Sequence, residues 1–187
     1  MGTSPTRCHW VNQDPEYIAY HDNEWGQPNY DNHYLFEMIC LEGQQAGLSW
    51  YTILKKRHSY RALFYQFDPQ RIALMSEQDV ERLMQDTRII RNRLKINAII
   101  ANAKAYLAMK ENGEDFSTFI WQFVGGQPMI NQWQNPSQVP AETELSKKLS
   151  KALKQRGFKF VGSITCYAFM QATGMINDHL INCCQFK

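Results

Sequence analysis

Residues 95–112 read KINAIIANAKAYLAMKEN, the longest periodic stretch in a chain of 187 residues. Ile96, Ile99, Ile100, Ala103 and Leu107 recur at the three- and four-residue spacing that places apolar side chains on one face of an α-helix. The same period continues to either side. Upstream, Tyr34, Leu35, Met38, Ile39 and Leu41 line a face from Asn32 onward, and Trp50, Ile53 and Leu54 open a helix that runs into Lys55, Lys56 and Arg57. Asp68-Pro69 is a helix-start pair, and Ser76 with Asp79 three residues later reads as the N-cap of a helix reaching Met84. Downstream, Phe116, Phe119, Ile120 and Phe123 mark one helix, residues 142–156 a basic amphipathic one stopped by Gly157, and residues 161–173 an apolar one closed by Gly174. Strand-like alternation is almost absent and there is no internal repeat. The pattern predicts an all-α fold of about eight short helices in two packed groups, within one domain spanning 1–187. Two segments are expected to be irregular: residues 1–32, broken by Pro5, Pro15, Gly26 and Pro28, and the Gly-, Gln-, Asn- and Pro-rich stretch 125–142.

Composition narrows the class. Hydrophobic residues make up 44 % of the chain, enough for a globular core. A net charge of +2 gives no global attraction to polyanions, so any basic footprint must be local. No segment is long and apolar enough to cross a membrane, and Met1 to Arg7 lacks the apolar run of a signal peptide. Five cysteines are odd in number and too sparse for a secreted disulfide scaffold. A cytoplasmic monomer is the expectation.

Four groups of residues carry candidate chemistry. Cys8 and His21 form a Cys-x12-His pair near the start, and His179 and Cys183 a His-x3-Cys pair near the end. Together they are a Cys2His2 set, which suits a closed tetrahedral zinc site, and a short helix at 179–183 would put that pair on one face. Spacing does not choose between Cys183 and Cys184, and buried thiols beside unrelated histidines are the alternative. Next, Ile89-Ile90-Arg91-Asn92-Arg93-Leu94-Lys95 lies between two predicted helices. Such a turn can aim backbone N–H groups at a phosphate, with Arg91, Arg93 and Lys95 adding charge, in the manner of a helix-hairpin-helix. The glycines usual in such turns are missing, with Arg88 and Leu94 in their places, and on this segment alone a solvated basic turn is the better reading. Third, Leu41-Glu42-Gly43-Gln44-Gln45-Ala46-Gly47-Leu48-Ser49-Trp50 gathers a carboxylate, amides and a tryptophan at a helix junction. With Tyr17, Tyr20 and Trp25 it offers aromatic surface to enclose a flat ring, whereas packing of the core is the ordinary use of aromatics. Fourth, Lys147, Lys148, Lys151, Lys154, Arg156 and Lys159 form a basic stretch whose default is a solvated helix face. Asp22, Glu24, Asp31 and Asp178 make a poor hard-metal site, although Asp22 and Asp178 flank the candidate histidine ligands. No phosphate-loop or dinucleotide fingerprint is present.

These blocks, in this order, resemble the DNA-3-methyladenine glycosylase I family, the constitutive alkylation-repair glycosylases of bacteria. The resemblance covers nearly the whole chain, through Arg7-Cys8-His9-Trp10, Tyr20 to Gly26, Leu35 to Met38, Leu41 to Trp50, Lys95-Ile96, Arg156 to Gly162 and Asn177-Asp178-His179. It implies a helix-hairpin-helix glycosylase fold of two helical lobes with the active site in the cleft between them. It implies one structural Zn2+ on Cys8, His21, His179 and Cys183, joining the termini. It implies a base pocket of Tyr17, Tyr20, Trp25 and Trp50 with Glu42 as the catalytic carboxylate. The implied reaction is hydrolytic excision of 3-methyladenine from double-stranded alkylated DNA, without a lyase step, releasing the free base. Glu114-Asp115 reads as a helix cap and takes no chemical role. Gly47 and Leu48 are expected to form the edge that enters the duplex, with Arg91, Arg93 and Lys95 on its backbone. The competing reading is a zinc-stapled DNA- or lesion-binding module without catalysis.

Overall fold

The structure, a computed structural model, describes residues 5–187. The first four residues of the 1–187 domain span, and of the Met1–Arg7 stretch, lie outside the described residues. Nine α-helices run in order among the described residues: α1 Pro15–Asn23, α2 Asn32–Gln44, α3 Trp50–Leu63, α4 Pro69–Ala73, α5 Glu77–Met84, α6 Arg93–Glu111, α7 Phe116–Trp121, α8 Glu144–Gln155 and α9 Ser163–Ala172. Two short strands, β1 Met129–Ile130 and β2 Ile176–Asn177, pair in parallel.

Local chemistry sets most boundaries. Asp31, Ser49, Asp68, Ser76, Asn92, Asp115 and Thr143 cap α2 to α8, each side chain accepting from a backbone N–H of the first turn. The predicted Ser76–Asp79 capping box is present, and Asp115 is a cap as expected. The 95–112 helix begins two residues earlier, at Arg93, because Asn92 caps it. Residues 1–32 are not irregular throughout: α1 occupies Pro15–Asn23, capped by Asp14. The signal was the same aspartate–proline pair that announces α4, placed among prolines and aromatics that mask the apolar period. No helix carries His179 and Cys183; His179 lies in the irregular segment directly after β2 and Cys183 at a bend four residues on.

α2 is the central element. Leu35 through Gln44 are buried without a break, as in a helix surrounded by others. It packs against α3, α6, α7 and α9. The apolar residues fall into two groups. One large core runs from α2 to β2; the other is a small aromatic cluster of Tyr17, Tyr20 and Leu54, flanked by Trp10, Trp25, Trp50 and Tyr51. Behind that cluster Arg57, buried on α3, donates to Glu37 at 2.7 Å and to Glu24 at 2.8 Å. Glu24 also accepts from the Tyr34 hydroxyl at 3.0 Å.

Removing one member of a buried ion network leaves its partners desolvated, at a cost of about 3 kcal/mol or more. Arg57→Met is expected to lower the melting temperature by roughly 6 °C or more in a chain of this size. A melting curve that coincides with wild type would mean that Arg57 makes no net contribution.

Candidate active site and metal centre

The aromatic cluster is held by the cap of α1. Asp14 accepts from the Tyr51 hydroxyl at 2.7 Å and from Lys55 at 3.1 Å, both on α3. The Tyr51 bond, the Glu16 backbone N–H and Lys55 together hold the Asp14 carboxyl down at about 2. With α1 fixed on α3, Tyr17 and Tyr20 stack at 6.5 Å and Tyr20 lies 5.5 Å from Trp50. Trp10 completes the cluster, with ring centres 5.1 Å from Tyr17 and 5.0 Å from Trp25. Burial pushes the Tyr17 phenol up to about 12 and Tyr20 well above its ordinary value, with the Glu42 charge as second cause for both. Both remain neutral hydroxyls at physiological pH.

These rings wall a cavity of about 360 Å³ that contains every residue expected to hold a base: Tyr17, Tyr20, Trp25, Trp50 and Glu42. Glu42 sits on the last turn of α2 and is 4 % exposed. Its Oε2 and the indole Nε1 of Trp50 are the two buried side-chain polar atoms without a hydrogen-bond partner among the described residues. One is an acceptor and one a donor, and an unmade bond to a buried group costs roughly 1–3 kcal/mol. Burial raises the Glu42 carboxyl to about 8; Arg57 opposes this only partly. The cavity therefore presents one donor, one carboxyl and stacking surfaces, all unused.

At one edge of the cavity the chain ends meet. Cys8, His21, His179 and Cys183 are all buried, and their ligand atoms lie within 4.8 Å of one another. Cys183 Sγ is 3.4 Å from both His21 Nε2 and His179 Nδ1, and Cys8 Sγ is 3.7 Å from His179 Nδ1. Tetrahedral zinc with bonds of roughly 2.0–2.3 Å separates its ligands by about 3.3–3.8 Å, so the donor set fits. The histidines are also oriented for it. His21 Nδ1–H donates to Asp22 at 2.7 Å, and His179 Nε2–H donates to the Trp25 carbonyl at 3.0 Å, so the inward nitrogens carry no proton, that of His21 also accepting from the Cys8 N–H at 3.4 Å. Asp22 is held in turn by Arg7 at 2.7 Å. Gly26 has φ +76°, and a Cβ there would lie 3.0 Å from His179 Nε2, so only glycine lets the chain pass the ring. Asp178 does not support His179. It accepts instead from Asn131, Trp133, Tyr167 and Gln171.

The methyladenine glycosylase family model matches residues 10–186. The chain belongs to this family. It is 64 % identical over 178 residues to DNA-3-methyladenine glycosylase 1 of Escherichia coli (strain K12), covering 95 % of each chain. It superposes on a crystal structure of 3-methyladenine DNA glycosylase I with a TM-score of 0.96 at 63 % identity, over 97 % of this chain and 100 % of the other. A structure of a variant 3-methyladenine DNA glycosylase I in complex with 3-methyladenine matches with a TM-score of 0.93 at 41 % identity, over 97 % of each chain.

In this member of the family the expected duplex-facing residues divide. Gly47 and Leu48 form the tip of the α2–α3 turn; Gly47 has φ +75° and Leu48 is 41 % exposed. Arg91 is exposed and has no ion-pair partner among the described residues. Arg93 is turned back onto Glu77 and Glu81 of α5. Lys95 corrects the expectation outright: it is 6 % exposed, and its ammonium donates to the carbonyls of Gln44 and Ala46. The absent glycines at 88 and 94 carry no strain, since neither position has a positive φ. The basic stretch lies on and after α8, where Lys147 pairs with Glu144 and Arg156 with Glu114. Reasoning from sequence missed Trp10, Gln171, Pro136 and Val139, all of which line the cavity. Trp10 stood inside a matched block and was readable. The 125–142 segment was not, because it becomes a wall of the cavity through long-range contacts, the pairing of β1 with β2 and its bonds to Asp178.

The Glu42 carboxyl has its folded value raised from 4.5 to about 8. Stability tied to its neutral form is therefore complete below pH 4.5 and is lost as pH climbs through about 8. The stability lost is about 1.4 kcal/mol per pH unit above 4.5, on the order of 3 kcal/mol by neutrality. Glu42→Gln should gain thermal stability over wild type progressively across that range. Parallel curves of melting temperature against pH would show that Glu42 ionises as freely as a surface carboxylate.

Proposed function

We propose that the protein excises 3-methyladenine from alkylated double-stranded DNA, as a monofunctional glycosylase of base excision repair. The observation that carries this reading is the unpartnered pair, Glu42 Oε2 and Trp50 Nε1, facing one aromatic cavity. A purine edge offers both donors and acceptors, and its ring suits the walls of Tyr17, Tyr20, Trp25 and Trp50. The E. coli relative and the 3-methyladenine-bound structure support the choice of base.

Methylation at N3 makes the adenine of a nucleotide cationic, so its glycosidic bond is already weakened. A poorly held lesion also costs less to flip from the stack. In the cavity the cationic ring stacks on aromatic faces, and its charge favours the ionised form of Glu42, whose proton leaves to solvent so that the carboxylate accepts from the base edge. The C1′–N9 bond breaks with its electron pair going to the base, neutralising the ring. Water oxygen bonds to C1′ and a water proton leaves to solvent. No lysine lines the cavity among the described residues, which supports hydrolysis without a Schiff-base step. Gly47 and Leu48 enter the space vacated in the duplex, and Arg91 contacts its backbone. The protein acts as a monomer in the cytoplasm, where its DNA substrate lies.

Cys8, His21, His179 and Cys183 hold one structural Zn2+. Four protein ligands leave no position for a catalytic water, so the metal's contribution is to fasten α1 and Trp25 beside the cavity. Cys183→Ser should lower zinc content and melting temperature together, whereas Cys184→Ser should change neither; metal analysis with thermal melting distinguishes the two thiols.

The decisive assay is release of 3-methyladenine from methylated duplex DNA. Wild type should release the base, and Glu42→Gln should lose at least about tenfold in rate while remaining folded. Affinity for the lesion without release would instead identify a binding module, and full activity in Glu42→Gln would remove that residue from its role.

A further inference from the structure

The backbone carbonyls at the end of α2 can be counted one by one. Gln45 N–H serves Leu41 and Glu42, Ala46 N–H serves Gly43, and Leu48 N–H serves Gln45. No backbone N–H reaches Gln44 O or Ala46 O among the described residues. Both are served by the Lys95 ammonium, at 2.8 and 2.6 Å. The arrangement is reciprocal. Gln44, 1 % exposed, donates its amide to Lys95 O at 3.0 Å and accepts from the Tyr60 hydroxyl at 3.1 Å. That hydroxyl accepts from Ile90 N–H at 3.2 Å. Residues 90–95, the turn before α6 and the start of that helix, are thus latched at both ends to residues 44–46, between Glu42 and the Gly47–Leu48 tip.

We propose that Lys95 is a positioning residue for base excision, transmitting the seating of the 89–95 turn on duplex DNA to the Gly47–Leu48 tip and to Glu42. The inference rests on the reading of Gly47 and Leu48 as the edge that enters the duplex. A methionine-like side chain would fill the same space without the cost of desolvating an ammonium, a cost visible in the lowered Lys95 pKa. What only a multivalent donor does here is hold two helix-end carbonyls in one geometry. The two segments are 51 and 49 residues apart in sequence at these contacts, so no local structure would otherwise fix one against the other. A displacement on the order of 1 Å at a reacting centre costs up to about a hundredfold in rate, so the latch is placed where it matters.

The test compares two readouts. One is single-turnover excision from methylated duplex; the other is affinity for free 3-methyladenine, followed by tryptophan fluorescence. Lys95→Met should lose excision by about tenfold or more, with free-base affinity held within about twofold. Leu48→Ala should cost less in the Lys95→Met background than in wild type, because the tip is already uncoupled. Tyr60→Phe removes one hydroxyl from the same chain and should give the same split at smaller amplitude; it decides the matter if Lys95→Met does not fold. Unchanged excision, or a parallel loss of free-base affinity, would overturn the inference. Failure of wild type itself to excise or bind the base would count against the proposed function and not against the latch.

Discussion

The meeting of Cys8 and His21 with His179 and Cys183 is the contact on which the site depends. It joins segments separated by nearly the whole chain, and closing so long a loop carries an entropic cost that local structure cannot offset. Its consequences reach the cavity directly. His21 shares α1 with Tyr17 and Tyr20, so its position sets theirs. His179 meets Trp25 edge-on at 4.7 Å and donates to its carbonyl. The aromatic walls are thus referred to the chain ends on one side and, through Asp14, Tyr51 and Lys55, to α3 on the other.

Against this rigid frame the electrostatics are left unbalanced in one place. Arg57 is a buried cation whose charge reaches Glu42, yet its carboxylate hydrogen bonds go to Glu24 and Glu37. Glu42 is left with burial and a Coulombic influence from Arg57 that offsets it only in part. A carboxyl in that position favours a ligand that brings positive charge and a hydrogen-bond donor together. A neutral base can stack on the same walls but offers less to Glu42. Selectivity of this kind requires that no nearer side chain satisfy the carboxylate, and Gln44, two residues on, is fully engaged with Tyr60 and Lys95.

Much of the fold was legible because it is helical and locally capped. The boundaries at Asp31, Asp68, Ser76 and Asp115 follow from side chains that bond the next turn, which needs no tertiary information. The miss at α1 had a local cause, an Asp14-Pro15 pair read as a break when it was a start. Of the site, Glu42 and Trp50 stood out at a helix junction and Tyr17, Tyr20 and Trp25 as aromatics of the N-terminal segment, the family resemblance joined them, and all five line the cavity. The basic turn was harder. Arg91, Arg93 and Lys95 look alike in sequence, but one is exposed, one is paired to α5 and one is buried.

The chain by itself determined the all-α class and most helix limits, because period and capping are local properties; its Cys2His2 set and the base-pocket residues Tyr17, Tyr20, Trp25, Glu42 and Trp50 came from the resemblance of its motifs to one family. Only the tertiary structure decided that His179 and Cys183 meet without a helix, from an irregular segment and the bend after it, that Asp178 anchors the 125–142 segment to α9, and that the Lys95 charge points inward. Each of those depends on where backbone from distant segments is left with an unused donor or acceptor. That requirement comes into being only when the helices have packed.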